Sequence, residues 1–425
     1  MISTHTCPLA TLGGKETGGM NVYVRDLSRE LGRRGIVVDV FTRQQNPTLP
    51  RISHRLGTNC RVIHIPAGPL EPYDKNSVFD HLPEFVQGVV NFANQEELTY
   101  HVLHSHYWLS GAAALALRKL WGTPTIQMFH TLGHMKNSVA QRTSDMETER
   151  RIQVETEIAN QADWLVAATL LERAQITWLY GADSAKIQVI PCGVDMSLFK
   201  PIPSTEAKSR LNLPENHQMV LFVGRIEPLK GIDTLLRAMA LVASEFPNWK
   251  ENLCVSIIGG DPANNSAVAN KEMERLKQLR AELGISDLVL FEGAQDQDTL
   301  NLYYSAAEMV VMPSHYESFG MVALEAMACG TPVIASKVGG LAFTVQDGIT
   351  GFHVPERNPE ALAAKISEIL REPDLREELG QKAAQWAQHY KWPAIANRIV
   401  NLYDQAIYNQ AITQAAPTRL ACSCS

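Results

Sequence analysis

The chain has 425 residues, 45% of them hydrophobic and 20% charged, with a formal net charge of -7. That length leaves room for two or three domains with sizeable cores, and the negative balance argues against a nucleic-acid partner, so any cation that matters must act locally. No apolar run reaches the ~18 residues of a membrane span, and Met1-Ile2-Ser3-Thr4-His5 is too short and polar for a signal-peptide core, so a cytoplasmic protein without a membrane partner is expected.

In chain order, apolar runs suited to buried strands alternate with helical segments. Val37–Phe41, Val62–Ile65, Val102–His104, Thr125–Phe129, Trp164–Ala168 and Ile187–Ile190 read as strands, with helices over Met20–Arg34 and Gly111–Leu120. Phe199-Lys200-Pro201-Ile202-Pro203 reads as a linker, because its prolines lack backbone donors. A second series follows, with strands at Met219–Val223, Val255–Ile258, Val289–Phe291, Met309–Met312 and Pro332–Ala335. Trp386–Gln410 reads as a closing amphipathic helix, with fraying after Ala415. The seven cysteines are scattered and fit reduced thiols. The terminal Cys422-x-Cys424 is weak evidence for a metal. The fold class is therefore α/β. It has two similar halves, each a parallel sheet covered on both faces, with a ligand cleft between them.

Four motifs carry chemistry. Gly13-Gly14-Lys15-Glu16-Thr17-Gly18-Gly19-Met20-Asn21 opens a helix and offers free N–H groups to a phosphate, although it matches neither the P-loop nor the dinucleotide pattern. Taken alone it is equally a flexible loop. His130-Thr131 follows a strand at the end where ligands gather; a lone histidine is more often structural. Gly224-Arg225-Ile226-Glu227-Pro228-Leu229-Lys230-Gly231 places two cations at the mouth of the second sheet, where they suit a diphosphate. The bland reading is two solvated surface cations.

The fourth motif, Glu317-Ser318-Phe319-Gly320-Met321-Val322-Ala323-Leu324-Glu325, leads into a helix expected from near Ser318–Phe319 to Gly330. Eight helical positions span ~12 Å, too far for the ~5–5.5 Å carboxylate pair of a retaining glycosidase. Glu317 and Glu325 fit the two ends of one long ligand, with the helix N-terminus facing a diphosphate. Their bland reading is a dipole-complementing acid and a solvated helical one. Asp296-Gln297-Asp298 matches a D-x-D metal pattern, but Asp298 reads better as a helix N-cap, so no metal site is expected. A His104–His106 metal pair lacks further ligands nearby.

Together these motifs resemble the family 4 retaining glycosyltransferases of the GT-B fold, over nearly the whole chain. Pro191-Cys192-Gly193-Val194-Asp195, Gly339-Gly340 and the Trp392…Tyr403 helix belong to the same pattern. The resemblance implies two facing Rossmann-like domains, at 1–200 for the acceptor and 201–385 for the nucleotide sugar, with 386–412 a helix returning to the first. It implies a donor site of Gly18, Gly19, Arg225, Lys230, Glu317, Phe319, Gly320, Met321, Val322 and Glu325. Arg225 and Lys230 would hold the diphosphate, Glu317 the sugar and Glu325 the ribose. His130 would lie beside the transferred sugar, making His130, Glu317, Arg225 and Lys230 the catalytic set. A UDP-sugar is the implied co-substrate, with no cofactor required.

Two subgroups match best, the D-inositol 3-phosphate glycosyltransferases and the bacterial sucrose-phosphate synthases. Both imply a phosphorylated acceptor, held by Asn21, Lys75, Tyr107, Thr131 and Arg151. Pro313–Met321 looks closer to the second subgroup, which implies glucose transfer from UDP-glucose to fructose 6-phosphate. The rivals are transfer of N-acetylglucosamine to inositol 3-phosphate, a nucleotide-sugar 2-epimerase, for which no acid/base set is evident, and a non-catalytic nucleotide-sugar sensor.

Overall fold

The computed structural model describes residues 1–11, 17–140, 142–246, 252–260 and 267–415. Gly13 to Glu16 of the first motif, the stretch after Ala415, Cys422 and Cys424 lie outside the described residues. In the amino-terminal half the strands are β1 Val38–Arg43, β2 Ile52–Gly57, β3 Cys60–Ile65, β4 Leu103–His106, β5 Thr125–Met128, β6 Trp164–Ala167 and β7 Ile187–Val189. Ile2 bridges Phe41 on one side and Ser105 on the other. It joins the β2-β3-β1 and β4-β5-β6-β7 groups into one sheet. All neighbours are parallel except β2 against β3.

The carboxyl-terminal half contains β8 Gln218–Val223, β9 Leu253–Ile258, β10 Val289–Gly293, β11 Met309–Met312, β12 Val333–Ser336 and β13 Gly351–Val354. Their order, β10-β9-β8-β11-β12-β13, is wholly parallel. Each sheet therefore reverses direction beside its first strand, the doubly wound arrangement whose crevice opens at the carboxyl ends of the strands. Strand composition explains the layering: β1, β4, β5, β9, β11 and β12 are buried along their whole length, as strands covered on both faces must be.

Several boundaries differ from the sequence reading, each for a local reason. Ile2 adds an isolated bridge ahead of the first strand read from the sequence. The antiparallel edge β2 and the edge β13 were not expected; Ile52-Ser-His-Arg-Leu-Gly is too polar to signal a buried strand. The helix expected from Ser318–Phe319 begins at Met321, because Gly320 is left-handed (φ 90°) and a Cβ there would lie 2.5 Å from Leu341. Trp386–Gln410 is not one helix. Pro373–Ala387 ends first, a 3₁₀ turn covers Gln388–Tyr390, and Trp392–Ala415 starts anew with Pro393 in its first turn, where proline's missing N–H costs nothing. The helix expected at Gly111–Leu120 runs Trp108–Trp121.

A single apolar cluster spans both halves. It runs from Tyr23, Leu27 and Met128 through Ile190 and Phe199 to Leu221, Leu324 and Met327, and it takes in Trp392, Ile395, Ile399 and Leu402. The final helix packs on the helix Gly19–Arg33 of the first half, and Tyr403 Oη pairs with His104 Nδ1 at 2.8 Å. Gly193 permits that return: a Cβ there would lie 2.5 Å from the Trp392 ring.

Candidate functional site

On the carboxyl-terminal side, β8 leads into Gly224-Arg225. Close approach is possible because Gly259, after β9, would otherwise drive a Cβ to 1.8 Å from the Gly224 carbonyl oxygen. Arg225 pairs with Glu227 at 2.8 Å. Lys230 closes a 3₁₀ turn, Pro228–Lys230, and its Nζ reaches Glu317 Oε2 at 2.5 Å. Glu317 is held from behind by Gly339-Gly340. A Cβ at Gly339 would lie 2.0 Å from the Glu317 carbonyl oxygen, and one at Gly340 2.3 Å from Phe319 Cα. That contact accounts for the two glycines in the sequence pattern.

Glu325 stands in a different setting. It is 7% exposed and accepts a hydrogen bond from Tyr304 Oη at 2.8 Å. Burial pushes its carboxyl up to about 7. The two acids are thus chemically distinct: Glu317 is paired to a cation, whereas Glu325 is poised between charged and neutral near pH 7.

The opposing wall comes from the first half. Asn21 folds back on the glycine loop: its Oδ1 accepts from the Gly18 N–H at 3.0 Å, while its Nδ2 donates to Thr6 Oγ1 at 2.7 Å and the Cys7 carbonyl at 2.8 Å. Its side-chain amide is therefore engaged in shaping the loop. The turn it shapes abuts the other half. A Cβ on Gly19 would meet Met321 Sδ at 3.3 Å, and one on Gly18 would meet Arg225 Nε at 4.0 Å. Two helix N-termini, at Gly19 and Met321, therefore border one cavity of ≈ 310 Å³, and N-termini carry the unsatisfied N–H groups and positive dipole end that favour anions.

His130 and Tyr107 follow β5 and β4, and both hold positive φ without being glycine, at 62° and 77°. Such strain clusters at functional sites. His130 Nε2 lies 3.0 Å from His106 Nδ1, and burial pushes His130 down to about 3. It is therefore a neutral imidazole at pH 7.

All the expected site residues except Arg151 line this one cavity. Lys75, Tyr107 and Thr131, far apart in sequence, meet on its amino-terminal side. Arg151 stands behind them, with no exposure. It donates to Tyr107 Oη at 3.0 Å, to the Thr131 carbonyl at 2.9 Å and to Thr131 Oγ1 at 3.1 Å, and pairs with Glu155 at 2.7 Å. Its cation thus orients the residues that face the cavity.

Sequence reasoning missed Lys136 and Glu172, which also line the cavity. Glu172 follows Thr169 in a T-x-x-E arrangement that reads as a plain helix cap. Thr169 does cap the helix, and Glu172 Oε2 accepts from the Ala168 N–H at 2.6 Å. Yet Glu172 Oε1 meets no donor among the described residues, and burial lifts the carboxyl to about 7. The D-x-D reading is corrected in detail: the N-cap is Asp296, whose carboxylate accepts from the Thr299 N–H at 2.7 Å, while Asp298 lies in the first turn. His104 and His106 turn their Nδ1 atoms to Tyr403 and His130 respectively.

A family model described as "Glycosyltransferase Family 4" matches residues 17–198, and one described as "Glycosyl transferases group 1" matches 203–386. The D-inositol 3-phosphate glycosyltransferase of Acidothermus cellulolyticus is 40% identical, over 99% of this chain and 92% of that relative. Its counterpart in Nocardiopsis dassonvillei is 38% identical, over 98% and 96%. Among solved structures, the sucrose-phosphate synthase of Thermosynechococcus elongatus aligns with a TM-score of 0.88 at 37% identity, covering 96% of this chain and 98% of that one. Two facing Rossmann-like sheets with a returning helix are the GT-B fold, and the protein is a glycosyltransferase. The chain belongs to glycosyltransferase family 4. No helix among the described residues is long and apolar enough to cross a membrane.

Proposed function

We propose that the protein transfers a hexosyl group, with retention, from a UDP-sugar to a small phosphorylated sugar or polyol. The supporting observation is that one cavity has cations at both ends, Arg225 and Lys230 on one wall and Lys75 on the other, with His130 also lining it. Arg225 and Lys230 suit the departing diphosphate, a role in which fixed cations stabilise charge as it develops. Glu325, buried beside Tyr304, suits ribose hydroxyls, and Glu317, held by Lys230, suits the sugar. Neutral His130 contributes hydrogen bonding and shape rather than charge. Catalysis then rests on positioning and on electrostatic stabilisation of an oxocarbenium-like state. The leaving phosphate is the base for same-face attack. The fixed cations supply the diphosphate's countercharge, so turnover is expected to persist in EDTA.

Fructose 6-phosphate with UDP-glucose is the first pairing, supported by the Pro313–Met321 loop and by the Thermosynechococcus likeness. Inositol 3-phosphate with UDP-N-acetylglucosamine is the second, supported by what the curated relatives are named for. Crossing both donors with both acceptors and measuring UDP release and product mass tests this. Release confined to one pairing assigns the acceptor. Hydrolysis or epimerisation of UDP-N-acetylglucosamine without any acceptor would overturn the transferase reading.

A further inference from the structure

His130 lines the cavity, and a second imidazole stands behind it. β4 carries His106 with no exposure, its backbone N–H donating to the Ile2 carbonyl at 3.0 Å. His106 Nδ1 lies 3.0 Å from His130 Nε2. Tyr23 packs against both rings, with its centroid 5.6 Å from that of His106 and 5.2 Å from that of His130. His104 packs on His106 at 4.3 Å, and its own Nδ1 is taken by Tyr403 Oη. The two rings are therefore held by their neighbours as well as by each other.

A contact of this length between two ring nitrogens holds one proton. Burial pushes both imidazoles down, His130 to about 3, so each ring is neutral at pH 7 and carries a single N–H. Two arrangements satisfy the contact, and they differ at the outer nitrogens. If His130 Nε2–H donates, His106 must carry its proton on Nε2. That atom is buried and meets no partner among the described residues, so the proton would be an orphaned donor. If His106 Nδ1–H donates, Nε2 is only an unused lone pair. An orphaned buried N–H is the rarer defect in folded proteins. The second arrangement therefore prevails, and it leaves the single proton of His130 on Nδ1.

We propose that His106 is a positioning residue for the transfer: its Nδ1–H donates to His130 Nε2, fixes His130 as the Nδ1–H tautomer, and so makes His130 a hydrogen-bond donor to an oxygen of the ligand in the cavity. The left-handed backbone of His130, at φ 62°, and the Tyr23 ring hold the imidazole in place for this. A donor whose tautomer and ring plane are set before the ligand arrives needs no reorganisation as charge develops on the reacting oxygens. The effect on turnover rests on the transferase reading, whereas the tautomer is a property of the unliganded protein.

The test is ring-nitrogen NMR of the whole protein at neutral pH, with the histidines labelled with nitrogen-15 and His130 assigned by the signals lost in His130→Asn. The expected result is a protonated Nδ1 and a bare Nε2 in wild-type His130. A protonated Nε2 would overturn the proposal, whatever the activity. Two variants then test the consequence. His106→Phe keeps the ring's bulk without a donor, and His106→Asn keeps an amide N–H near the place of Nδ1. Melting temperature and UDP affinity report folding. In His106→Phe, kcat should fall about tenfold with the donor KM nearly unchanged, and His106→Asn should recover part of the loss. Wild-type kcat in a folded His106→Phe would overturn the positioning role. The expected tautomer in a wild-type protein that transfers no sugar would instead overturn the transferase reading beneath it.

Discussion

At the scale of single residues, environment separates groups that composition treats alike. Among the described residues three glutamates line the cavity, one paired with a lysine and two buried without a cationic partner of that kind. Glu317 is paired with Lys230 at 2.5 Å. Glu325 and Glu172 are buried and both lifted to about 7. For Glu172 this bears on stability. The folded protein keeps a proton that the unfolded chain releases in the ordinary carboxyl range, so stability falls as pH rises from about 4.5 to 7 and levels off above. Glu172→Gln removes that loss. It should stabilise the protein relative to wild type by roughly 1–3 kcal/mol at pH 8 and much less at pH 5. Thermal unfolding at the two pH values measures this, and an equal shift at both would refute it. For the chemistry, Lys230→Ala should lower kcat by about 10²–10³. Because Lys230 is also the partner of Glu317, sugar binding should weaken as well, which a KM for donor separates from kcat.

At the scale of elements, the features that shape the site are mostly turns with particular steric demands. His130 at φ 62° is one. Asparagine tolerates that conformation and a β-branched residue does not. His130→Asn should keep the wild-type melting temperature while losing turnover, whereas His130→Val should add about 1–2 kcal/mol of destabilisation. Gly193 is another. Its Cβ would enter the Trp392 ring, so Gly193→Ala should cost about 1–3 kcal/mol through overpacking and loosen the final helix. Differential scanning calorimetry would show it; an unchanged melting temperature would mean that the helix is not anchored there. Legibility in the sequence divides along the same lines. Long apolar runs such as Met219–Val223 and Met309–Met312 identified buried strands because burial on both faces imposes a simple composition. The edge β2 has no such composition and passed unseen. The break after Ala387 hid inside an amphipathic pattern that helices on either side share. Lys136 and Glu172 were silent because only tertiary folding brings them to the cavity wall.

At the scale of the whole molecule, two halves of the same winding face each other across a cavity bordered by a helix N-terminus from each. Near the cavity, Arg25 donates to Gln297 Oε1 at 2.5 Å, and a Cβ on Gly19 would meet Met321 Sδ at 3.3 Å. The final helix adds Trp392, Ile395 and Ile399 to the apolar cluster that the two halves share. Movement of one half against the other about the Phe199–Pro203 segment would open and close the cavity. The measurement that tests the central claim most directly is UDP release from UDP-glucose, in EDTA, with fructose 6-phosphate, unphosphorylated fructose and inositol 3-phosphate compared in parallel. The account predicts release only when the acceptor carries a phosphate. Equal release with fructose and fructose 6-phosphate, or release independent of any acceptor, would contradict it.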